Sequence, residues 1–521
     1  MSDLIELTHR VSNEFNGILR ANLYELSLTE EELVKVRRRK RELRTALKNC
    51  GIGDENAKSY IKTCIRDILT KKIMISSENI DSYIPFNVSA KLSCRDKFDI
   101  LIYSYMKEYK ADALSMLIDD YEMLSNENNI YVINEEQIEK VYEKAEVYLS
   151  FFDKLEVLTQ RIYADYKGLG VVDDIRDMAI DGVSGGVSGK EGEYNSVWIF
   201  FRGRMVHLSF LSFDNENELS RICMNIYRYG YPGQFSMARG YIVNEMKDHS
   251  RVVVVRPPFS ESFAFFVRKF TTIENKDTAE LIVDKGAEKA ISVLKYLVKG
   301  CMVTGITGAQ GSGKTTLLMS LIRYIHPSYT LRIQEMAFEL HLREIYPERN
   351  ILTFRETDTV KGQDALDLQK KTDGTVNILG EVASAPVSSW LVQMSMVGSL
   401  FTMFTHHAKT TKALVKYMRN CLLSTGAFSN EVIAEEQVVD AINFDVHMEK
   451  DISGKRYIER ITEIVPIEDY DSRKLYEAVD IVRYEEGEYR IVNNISSEHK
   501  RQIFKYLSHS EQEEYSELFG V

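Results

Sequence analysis

The sequence has few of the residues that mark secreted, membrane-spanning or metal-stapled proteins. Its 521 residues include only 8 prolines and 6 cysteines, and no two cysteines form a C-x-x-C pair. We therefore expect neither a disulfide framework nor a zinc knuckle, and this cysteine usage is typical of a reducing compartment. No run of about 18 apolar residues could span a bilayer, and the first residues lack the basic flank and apolar core of a signal peptide. These absences predict a soluble, cytoplasmic protein.

An excess of positive charge is also lacking. The formal net charge is -12, whereas a protein that follows a phosphate backbone needs a cationic surface. The composition therefore disfavours a nucleic-acid partner. One basic run, Lys35 to Arg44, follows a capping-box pattern at Thr29 and Glu32 and is expected on a helix. It is either a solvated helix face or a docking surface for an acidic partner or an anionic membrane.

What the sequence does contain is a phosphate-binding loop. Gly308 to Thr316 reads GAQGSGKTT and fits the pattern G-x-x-x-x-G-K-[ST] at every fixed position. A short apolar run ending at Thr307 precedes the loop, and apolar residues at helical spacing follow it from Leu317. A strand, a glycine turn and a helix in this order aim backbone N–H groups and the positive end of a helix dipole at a phosphate chain.

In that geometry the lysine and the first threonine have distinct tasks. Lys314 would reach the β- and γ-phosphates, and the Thr315 hydroxyl would hold Mg²⁺. The residues expected to bind the nucleotide are those of the loop and the first helical turn, Gly308, Gly311, Ser312, Gly313, Lys314, Thr315 and Thr316. A glycine-rich turn with an incidental lysine is the alternative. The pattern predicts that the protein binds a nucleoside triphosphate.

Composition and periodicity divide the chain into five parts. Residues 1–168 have apolar positions at helical spacing and predict a helical N-terminal domain. Residues 169–270 predict a small α+β domain, and 271–277 a polar linker. In residues 278–465 helices and strands alternate, as a parallel sheet requires, which predicts an α/β fold. Residues 466–521 are acidic and tyrosine-rich and are expected to form a peripheral extension.

The strands predicted for the α/β domain are short apolar runs, Cys301 to Thr307, Thr330 to Gln334, Ile351 to Phe354, Thr375 to Leu379 and Leu400 to Thr405. Val439 to Met448 and Tyr457 to Val465 are predicted to pair as an antiparallel hairpin. In the preceding domain, the glycine- and serine-rich stretch from Gly182 to Gly189 is expected to be a flexible linker or a hairpin tip.

Three polar stretches follow predicted strands of this α/β domain. They are Gln334 to Leu340, Asn377 to Glu381 and Thr405 to Ala408. Because the carboxyl ends of parallel strands meet at one edge of a sheet, we expect all three beside the phosphate loop. Hydrolysis of a triphosphate needs charge neutralisation, a positioned water and a group that senses the γ-phosphate. Taken singly, a solvated glutamate or a structural histidine is the alternative for each.

In this order the motifs resemble those of the type II/type IV secretion ATPase superfamily, the hexameric motors of pilus assembly and secretion. They are most similar to the Flp/Tad-type pilus assembly ATPases, over about residues 170 to 465. The stretches that carry the resemblance are Asp248 to Val252, Pro257-Pro258, Phe266 to Phe270, the phosphate loop, Glu335 to Leu340, Gly380 to Val382, Thr405 to Ala408 and Ser453 to Arg456. Only the phosphate loop is specific by itself, but the ordered set is strong.

The resemblance implies a RecA-like P-loop ATPase domain that uses ATP and Mg²⁺. It implies that Glu335 polarises the attacking water, and that Glu381 holds Mg²⁺ through water or orients the attacking water. It further implies that His407 contacts the γ-phosphate. Arg251 and Arg268, in the small domain, would reach the nucleotide phosphates as the two domains close.

The resemblance also implies a homo-oligomeric ring of six copies, an integral-membrane platform protein as partner, and a place at the inner face of the cytoplasmic membrane. Met336, Ala383, Pro386 and Ser399 depart from the family pattern, which has Asp, Arg, Glu and His there. These losses leave binding intact but predict slow hydrolysis. A nucleotide-gated assembly subunit with little turnover is therefore the alternative to a motor, and a nucleic-acid translocase is a third hypothesis that the charge disfavours.

Overall fold

Two β-sheets organise the part of the chain that the structure describes, one in each of two units. The computed structural model describes residues 2–21, 29–127, 130–188, 194, 196–230, 232–269, 277–335, 338–355, 360, 362–369, 371–451, 454–467 and 474–520. Unit 1 comprises residues 1–271 and unit 2 comprises residues 272–521. Each helix among the described residues is too short or too polar to cross a bilayer.

Unit 1 combines helices with one eight-stranded sheet. Its helices are α1 (Ser2–Arg20), α2 (Glu30–Asn49), α3 (Glu55–Lys71), α4 (Cys94–Tyr109), α5 (Ala113–Asp120), α6 (Glu135–Ala145), α7 (Phe151–Tyr166), α8 (Asp173–Asp177) and α9 (Glu216–Ile226). Its strands are β1 (Ser125–Glu127), β2 (Ile130–Ile133), β3 (Gly182–Gly185), β4 (Val197–Phe201), β5 (Arg204–Leu208), β6 (Tyr241–Glu245), β7 (Arg251–Val255) and β8 (Ala264–Arg268). The capping box predicted at Thr29 and Glu32 is confirmed at the start of α2, which carries the basic run.

The strand order in unit 1 is β1-β2-β5-β4-β3-β8-β7-β6. Strand β2 pairs with β5 in parallel, so two strands from within the range predicted to be helical extend this sheet. Side chains of α4 to α6 share a hydrophobic core with the sheet, whereas α1 to α3 and α7 enclose a second core. The purely helical prediction for residues 1–168 is therefore wrong over residues 125–127 and 130–133, and the boundary at 168 remains a prediction.

The glycine-rich stretch at 182–189 is a strand and not a linker over its first four residues. Strand β3 lies between β4 and β8 and is buried throughout. A side chain at Gly182 would clash with the carbonyl oxygen of Val267, and one at Gly185 would lie 2.5 Å from the ring of Phe213. The glycines therefore permit close packing of backbone and rings here, which turn statistics alone do not reveal. Gly189 lies outside the described residues.

Unit 2 contains the phosphate loop and a nine-stranded sheet. Its strands are β9 (Thr304–Gly308), β10 (Leu331–Glu335), β11 (Ile351–Arg355), β12 (Val376–Leu379), β13 (Phe401–His406), β14 (Phe444–Lys450), β15 (Arg456–Pro466), β16 (Tyr476–Glu485) and β17 (Glu488–Ile491). Its helices are α10 (Thr278–Leu281), α11 (Ala287–Lys299), α12 (Lys314–Leu321), α13 (Leu342–Ile345), α14 (Gly362–Gln369), α15 (Ala385–Val397), α16 (Thr411–Ser424), α17 (Glu431–Ala441), α18 (Ser497–Phe504) and α19 (His509–Phe519).

The sheet of unit 2 has the order β11-β10-β12-β13-β9-β14-β15-β16-β17. The first six strands in this order are parallel, and the last three join by antiparallel pairing. Strand β9, which leads into the phosphate loop, is central and buried on both faces, as its apolar and β-branched residues require. The fold class predicted from the sequence, α/β with a RecA-like P-loop domain, is confirmed.

Two details of unit 2 differ from the sequence prediction. Residues 431–441 are helical, so the strand predicted from Val439 begins only at Phe444. The segment after residue 465 is not peripheral, because β16 and β17 extend the sheet and the side chains of Tyr515 and Phe519 are buried in the core. The boundary at 465 remains a prediction, and residues 271–276 of the predicted linker lie outside the described residues.

Candidate active site

The loop after β9 has positive φ angles at its glycines, as the glycine pattern predicts. Gly308 has φ +138°, and a side chain there would clash with the carbonyl oxygen of Met448 on the neighbouring strand. Gly313 has φ +97° and precedes α12, and no side chain among the described residues caps this helix. The N–H groups of its first turn are therefore available to a ligand, and the helix dipole favours an anion there.

Lys314 is held against its own loop and is only 7% exposed. Its Nζ donates to the carbonyl oxygens of Gly308 and Ala309, at 3.0 and 2.8 Å. It also lies 3.3 Å from Nδ1 of His407. Because an ammonium group only donates, Nδ1 of His407 is the acceptor and the ring proton is on Nε2. Burial lowers the pKa of Lys314, and the charge of Glu381 opposes this shift.

Glu381 completes a series of three predicted site residues. Nε2 of His407 lies 3.1 Å from Oε1 of Glu381 and donates to it. The side chains of His407 and Glu381 are 45% and 40% exposed, so this end of the series is open to solvent. The structure thus brings together Lys314, His407 and Glu381, which follow three different strands of one sheet. Their placement agrees with the expectation from parallel strand ends.

Glu335 lies at the end of β10, beside the strand that leads to Glu381. A side chain at Gly380 would come within 3.0 Å of Cγ of Glu335, so Glu335 packs against the glycine that precedes Glu381. Glu335 is only 4% exposed, and its Oε1 accepts the N–H groups of Glu339 and Leu340 at 3.0 and 2.9 Å. The acidic stretch therefore folds back on its own first residue. Met336 lies outside the described residues.

The histidine pair divides between two tasks. His406 is buried, and its Nδ1 donates to the carbonyl oxygen of Val382 at 2.7 Å. Its ring centroid lies 4.6 Å from that of Tyr417, and burial lowers the pKa of His406. His406 therefore positions the strand end, whereas His407 faces the lysine. Strand position alone could not separate the two, because they are consecutive at the end of the same strand, and only the resemblance pointed to His407.

Sequence reasoning missed a buried polar cluster directly before the loop. Oγ1 of Thr307 donates to Oδ1 of Asp445 at 2.6 Å and accepts from Nδ1 of His447 at 2.9 Å. Oγ1 of Thr411 donates to the second oxygen of Asp445 at 2.7 Å. Burial raises the pKa of Asp445, and burial followed by the charges of Arg460 and Lys314 lowers the pKa of His447 to about 4. The signal was the two polar residues Asp445 and His447 within the buried part of β14, Phe444 to Met448.

Arg456 makes a contact with the phosphate loop that the sequence did not indicate. Its Nε donates to the carbonyl oxygen of Gly311 at 2.9 Å, so the hairpin formed by β14 and β15 supports the loop. The resemblance includes this arginine in the stretch from Ser453, but it assigns it no contact. Ser453 lies outside the described residues.

The remaining predicted residues occupy different surroundings. Ser312 is fully buried, and its hydroxyl has no hydrogen-bond partner among the described residues. Thr315 and Thr316 are half-buried in the first turn of α12. In unit 1, Arg251 and Arg268 are exposed and face each other across β7 and β8, with the guanidinium of Arg268 4.8 Å from the ring centre of Phe200. Their role toward a nucleotide stays a prediction.

These groups fit a triphosphate with a divalent cation. The loop offers main-chain N–H groups, a buried hydroxyl and an ammonium, which are the donors that phosphate oxygens accept. The Thr315 hydroxyl and the Glu381 carboxylate are oxygen ligands of the kind that Mg²⁺ prefers. The residues therefore suit ATP with Mg²⁺ in the chemistry of their donor set.

No family model matches the sequence, and no curated protein matches it either. Among solved structures, the VirB11 ATPase of the Brucella suis type IV secretion system, in complex with sulphate, is 17% identical, with 55% of this chain and 89% of that chain covered and a TM-score of 0.31. The Legionella pneumophila ATPase DotB is 15% identical, with coverages of 56% and 78% and a TM-score of 0.39.

A third structural neighbour is the pilus retraction motor PilT with bound ADP, which is 13% identical, with 67% of this chain and 88% of that chain covered and a TM-score of 0.40. The first of these neighbours is an ATPase of a type IV secretion system, the second is an ATPase, and the third is a pilus retraction motor. The fold class of unit 2 itself follows from its strand order and from the loop after β9.

Proposed function

We propose that this chain is an ATP-hydrolysing motor of the type II/type IV secretion ATPase superfamily. It powers assembly of a type IV, Flp/Tad-like pilus or protein secretion across the cytoplasmic membrane. The observation that carries the proposal is the hydrogen-bonded series from Lys314 through His407 to Glu381, next to a loop with the donors for a triphosphate. The order of motifs along the chain supports the choice of family.

Each residue of the site has a stated task in this proposal. When bound, Mg·ATP supplies the phosphoanhydride bond whose hydrolysis releases the energy. The loop N–H groups bind phosphate oxygens, and Lys314 exchanges its two loop carbonyls for them. Thr315 and Glu381 would hold the cation, and Glu335 would accept a proton from the attacking water. His407 keeps its proton on Nε2 toward Glu381 and presents Nδ1 to the lysine, so it responds to any change in the lysine's partners.

The output of the motor is proposed to be mechanical. Arg251 and Arg268 reach the nucleotide phosphates when the domains close, in a ring of six copies. Closure is transmitted to an integral-membrane platform protein at the inner face of the cytoplasmic membrane. The pair of exposed arginines on neighbouring strands supports this task, because exposed guanidinium groups bind phosphate bidentately.

A second function, a nucleotide-gated assembly subunit with little turnover, is favoured by the state of Glu335. The carboxylate proposed as the base is almost fully buried, and one of its oxygens accepts two N–H groups of its own segment. The arginine and histidine that the family pattern has are Ala383 and Ser399 here. Such a site would bind ATP and change conformation, but it would release phosphate slowly.

Phosphate release by the full chain separates these functions. We compare the wild type with Lys314→Ala and with Lys505→Ala, which removes an exposed lysine from the same unit. A motor releases phosphate, Lys314→Ala abolishes the release together with ATP binding, and Lys505→Ala leaves both unchanged. If the wild type binds ATP but releases no more phosphate than Lys314→Ala, the motor function is wrong and the gated subunit is supported. Loss of neither property in Lys314→Ala would contradict both, and stimulation of release by DNA or RNA would instead favour a translocase.

A further inference from the structure

A cavity in unit 1 is lined by positive side chains. It has a volume of about 310 Å³, and among the described residues no carboxylate lines it. The polar side chains around it are basic or neutral, namely Arg44, Lys48, Lys167, Arg228, Asn16 and Asn225. In a chain with a net charge of -12, a cavity whose charges all have one sign is unusual.

The basic residues reach this cavity from the ends of three helices. Arg44 and Lys48 lie one turn apart in the last part of α2, Lys167 directly follows α7, and Arg228 follows α9 by two residues. A cation at a helix C-terminus offsets the helix dipole, which explains one basic residue at each end. It does not explain why the three ends meet around one cavity that no carboxylate of the described residues lines.

Three of the four positive charges in the cavity have no ion-pair partner within the described part of the chain. Arg44, Lys167 and Arg228 form no ion pair with any described residue, whereas the nearby Arg221 is paired with Glu218 at 2.7 Å. Lys167 is half-buried, with its ammonium 4.7 Å from the ring centre of Tyr166. Burial lowers the pKa of Lys167, and the charges of Arg221 and Arg228 lower it further. A bound anion would relieve this repulsion.

We propose that this cavity binds a phosphate-bearing anion. Guanidinium and ammonium groups bind phosphate oxygens by charge-assisted hydrogen bonds, and the amides of Asn16 and Asn225 can donate as well. A water molecule occupies about 30 Å³ in the liquid, so the cavity has room for one or two phosphate groups. Such a group could come from a soluble diphosphate or from an anionic lipid headgroup. The site belongs to unit 1 and does not depend on the function proposed for unit 2.

Inorganic pyrophosphate is the probe for the soluble source. All proteins in the test carry Lys314→Ala, so that the phosphate loop contributes equally to each. The cavity variant adds Lys167→Gln and Arg228→Gln. The matched control adds Lys35→Gln and Arg41→Gln, which likewise remove one lysine and one arginine. Both of these residues are exposed, and neither lines the cavity. Isothermal titration calorimetry measures the dissociation constant, and circular dichroism checks the fold.

We expect the cavity variant to bind pyrophosphate about tenfold more weakly or worse, since it loses two charge-assisted contacts, and the control to bind like the parent. Equal weakening in both variants, or no binding by the parent, would overturn the proposal. If the cavity variant does not fold, Arg44→Gln replaces it, because an exposed side chain can be removed without affecting packing.

Vesicles distinguish the lipid source. Co-sedimentation with equimolar phosphatidylglycerol and phosphatidylcholine is measured for the same proteins, with and without pyrophosphate. Vesicle binding that pyrophosphate displaces, and that is lost in the cavity variant but retained in the control, assigns the phosphate to a lipid headgroup. Pyrophosphate binding that depends on the cavity, without such vesicle binding, assigns it to a soluble ligand. If neither binding depends on the cavity, the proposal is wrong.

Discussion

Thr307 donates a hydrogen bond to Asp445 over 2.6 Å, one residue before the phosphate loop begins. Asp445 is fully buried and also accepts from Thr411, so one carboxylate joins strands β9 and β14 to the start of helix α16. Two hydroxyl donors with no access to water depend on this acceptor. The loop is therefore supported by a polar cluster and not by its own sequence alone.

Removal of this carboxylate should destabilise unit 2. Asp445→Ala leaves the two threonine hydroxyls without their acceptor, and it removes one of the two carboxylates that pair with Arg460, the one at 3.4 Å. We expect the free energy of unfolding of unit 2 to fall by about 3 kcal/mol. Urea unfolding followed by the fluorescence of the buried Trp390, in a Trp198→Phe background, measures the change. The exposed Asp440→Ala is the control, and an equal loss there would refute the assignment.

The stability of unit 2 should depend on pH through His447. Its pKa in the folded state is lowered to about 4, so the folded protein takes up this proton less readily than the unfolded chain. The contribution is therefore fully present above the unfolded pKa of about 6.5 and is lost as pH falls toward 4, to a total of roughly 3 kcal/mol. His447→Gln should flatten the acid limb of a plot of urea midpoint against pH. His509→Gln, at an 89% exposed side chain, should not, and a steep limb in both would exclude His447 as its source.

Glu335→Gln should separate hydrolysis from binding. The amide oxygen can still accept the N–H groups of Glu339 and Leu340, so the fold and the ATP affinity are retained. The amide cannot accept a proton, and the rate of phosphate release should fall about 10²- to 10⁴-fold. Glu339→Gln is the control and should keep most of the rate. If the two variants exchange these results, Glu339 is the base, and an unchanged rate in both places the base elsewhere.

Arg268→Ala should reduce turnover while leaving unit 2 folded. The guanidinium is exposed and stacks on Phe200, so its loss removes no buried contact. If it reaches a phosphate in the transition state, the rate falls with little change in the urea midpoint. Arg204→Ala is a matched control in the same sheet, because that exposed arginine stacks on Tyr131 in the same way, at 4.9 Å. Equal turnover in the two variants would remove Arg268 from the site.

The parts of the fold that the sequence predicted are those with a local signal. The phosphate loop and its flanks were read directly, because a glycine pattern between an apolar run and a helical run has one common structural meaning. The parallel strands of unit 2 were placed to within a few residues for the same reason. Strand β3 was missed because two glycines gave it the composition of a loop, whereas the reason for them lies in Val267 and Phe213 far along the chain.

The sequence predicted which residues belong to the candidate site, but it did not predict the contacts between them. Strand ends pointed to Glu335, Glu381 and the pair His406-His407, and only the resemblance singled out His407. No local pattern indicated that His406 donates to Val382 while His407 accepts from the lysine. Asp445 was missed because its partners come from three elements that only the folded sheet brings together. Long-range polar pairs of this kind depend on the order of the strands in the sheet, which a single sequence does not reveal.

The burial of Tyr515 and Phe519 bears on how the protein is made. Tyr515 packs on Tyr296, with ring centroids 5.3 Å apart, although some two hundred residues of chain lie between them. A ribosome that adds about 5 to 20 residues per second needs on the order of ten seconds or more to produce that stretch. During synthesis the apolar face of the helix that contains Tyr296 stays exposed to solvent until the C-terminal residues are available. Unit 2 should therefore acquire its final packing only after Phe519 has left the exit tunnel, and the nascent chain would be a natural client for chaperones that shield apolar surface.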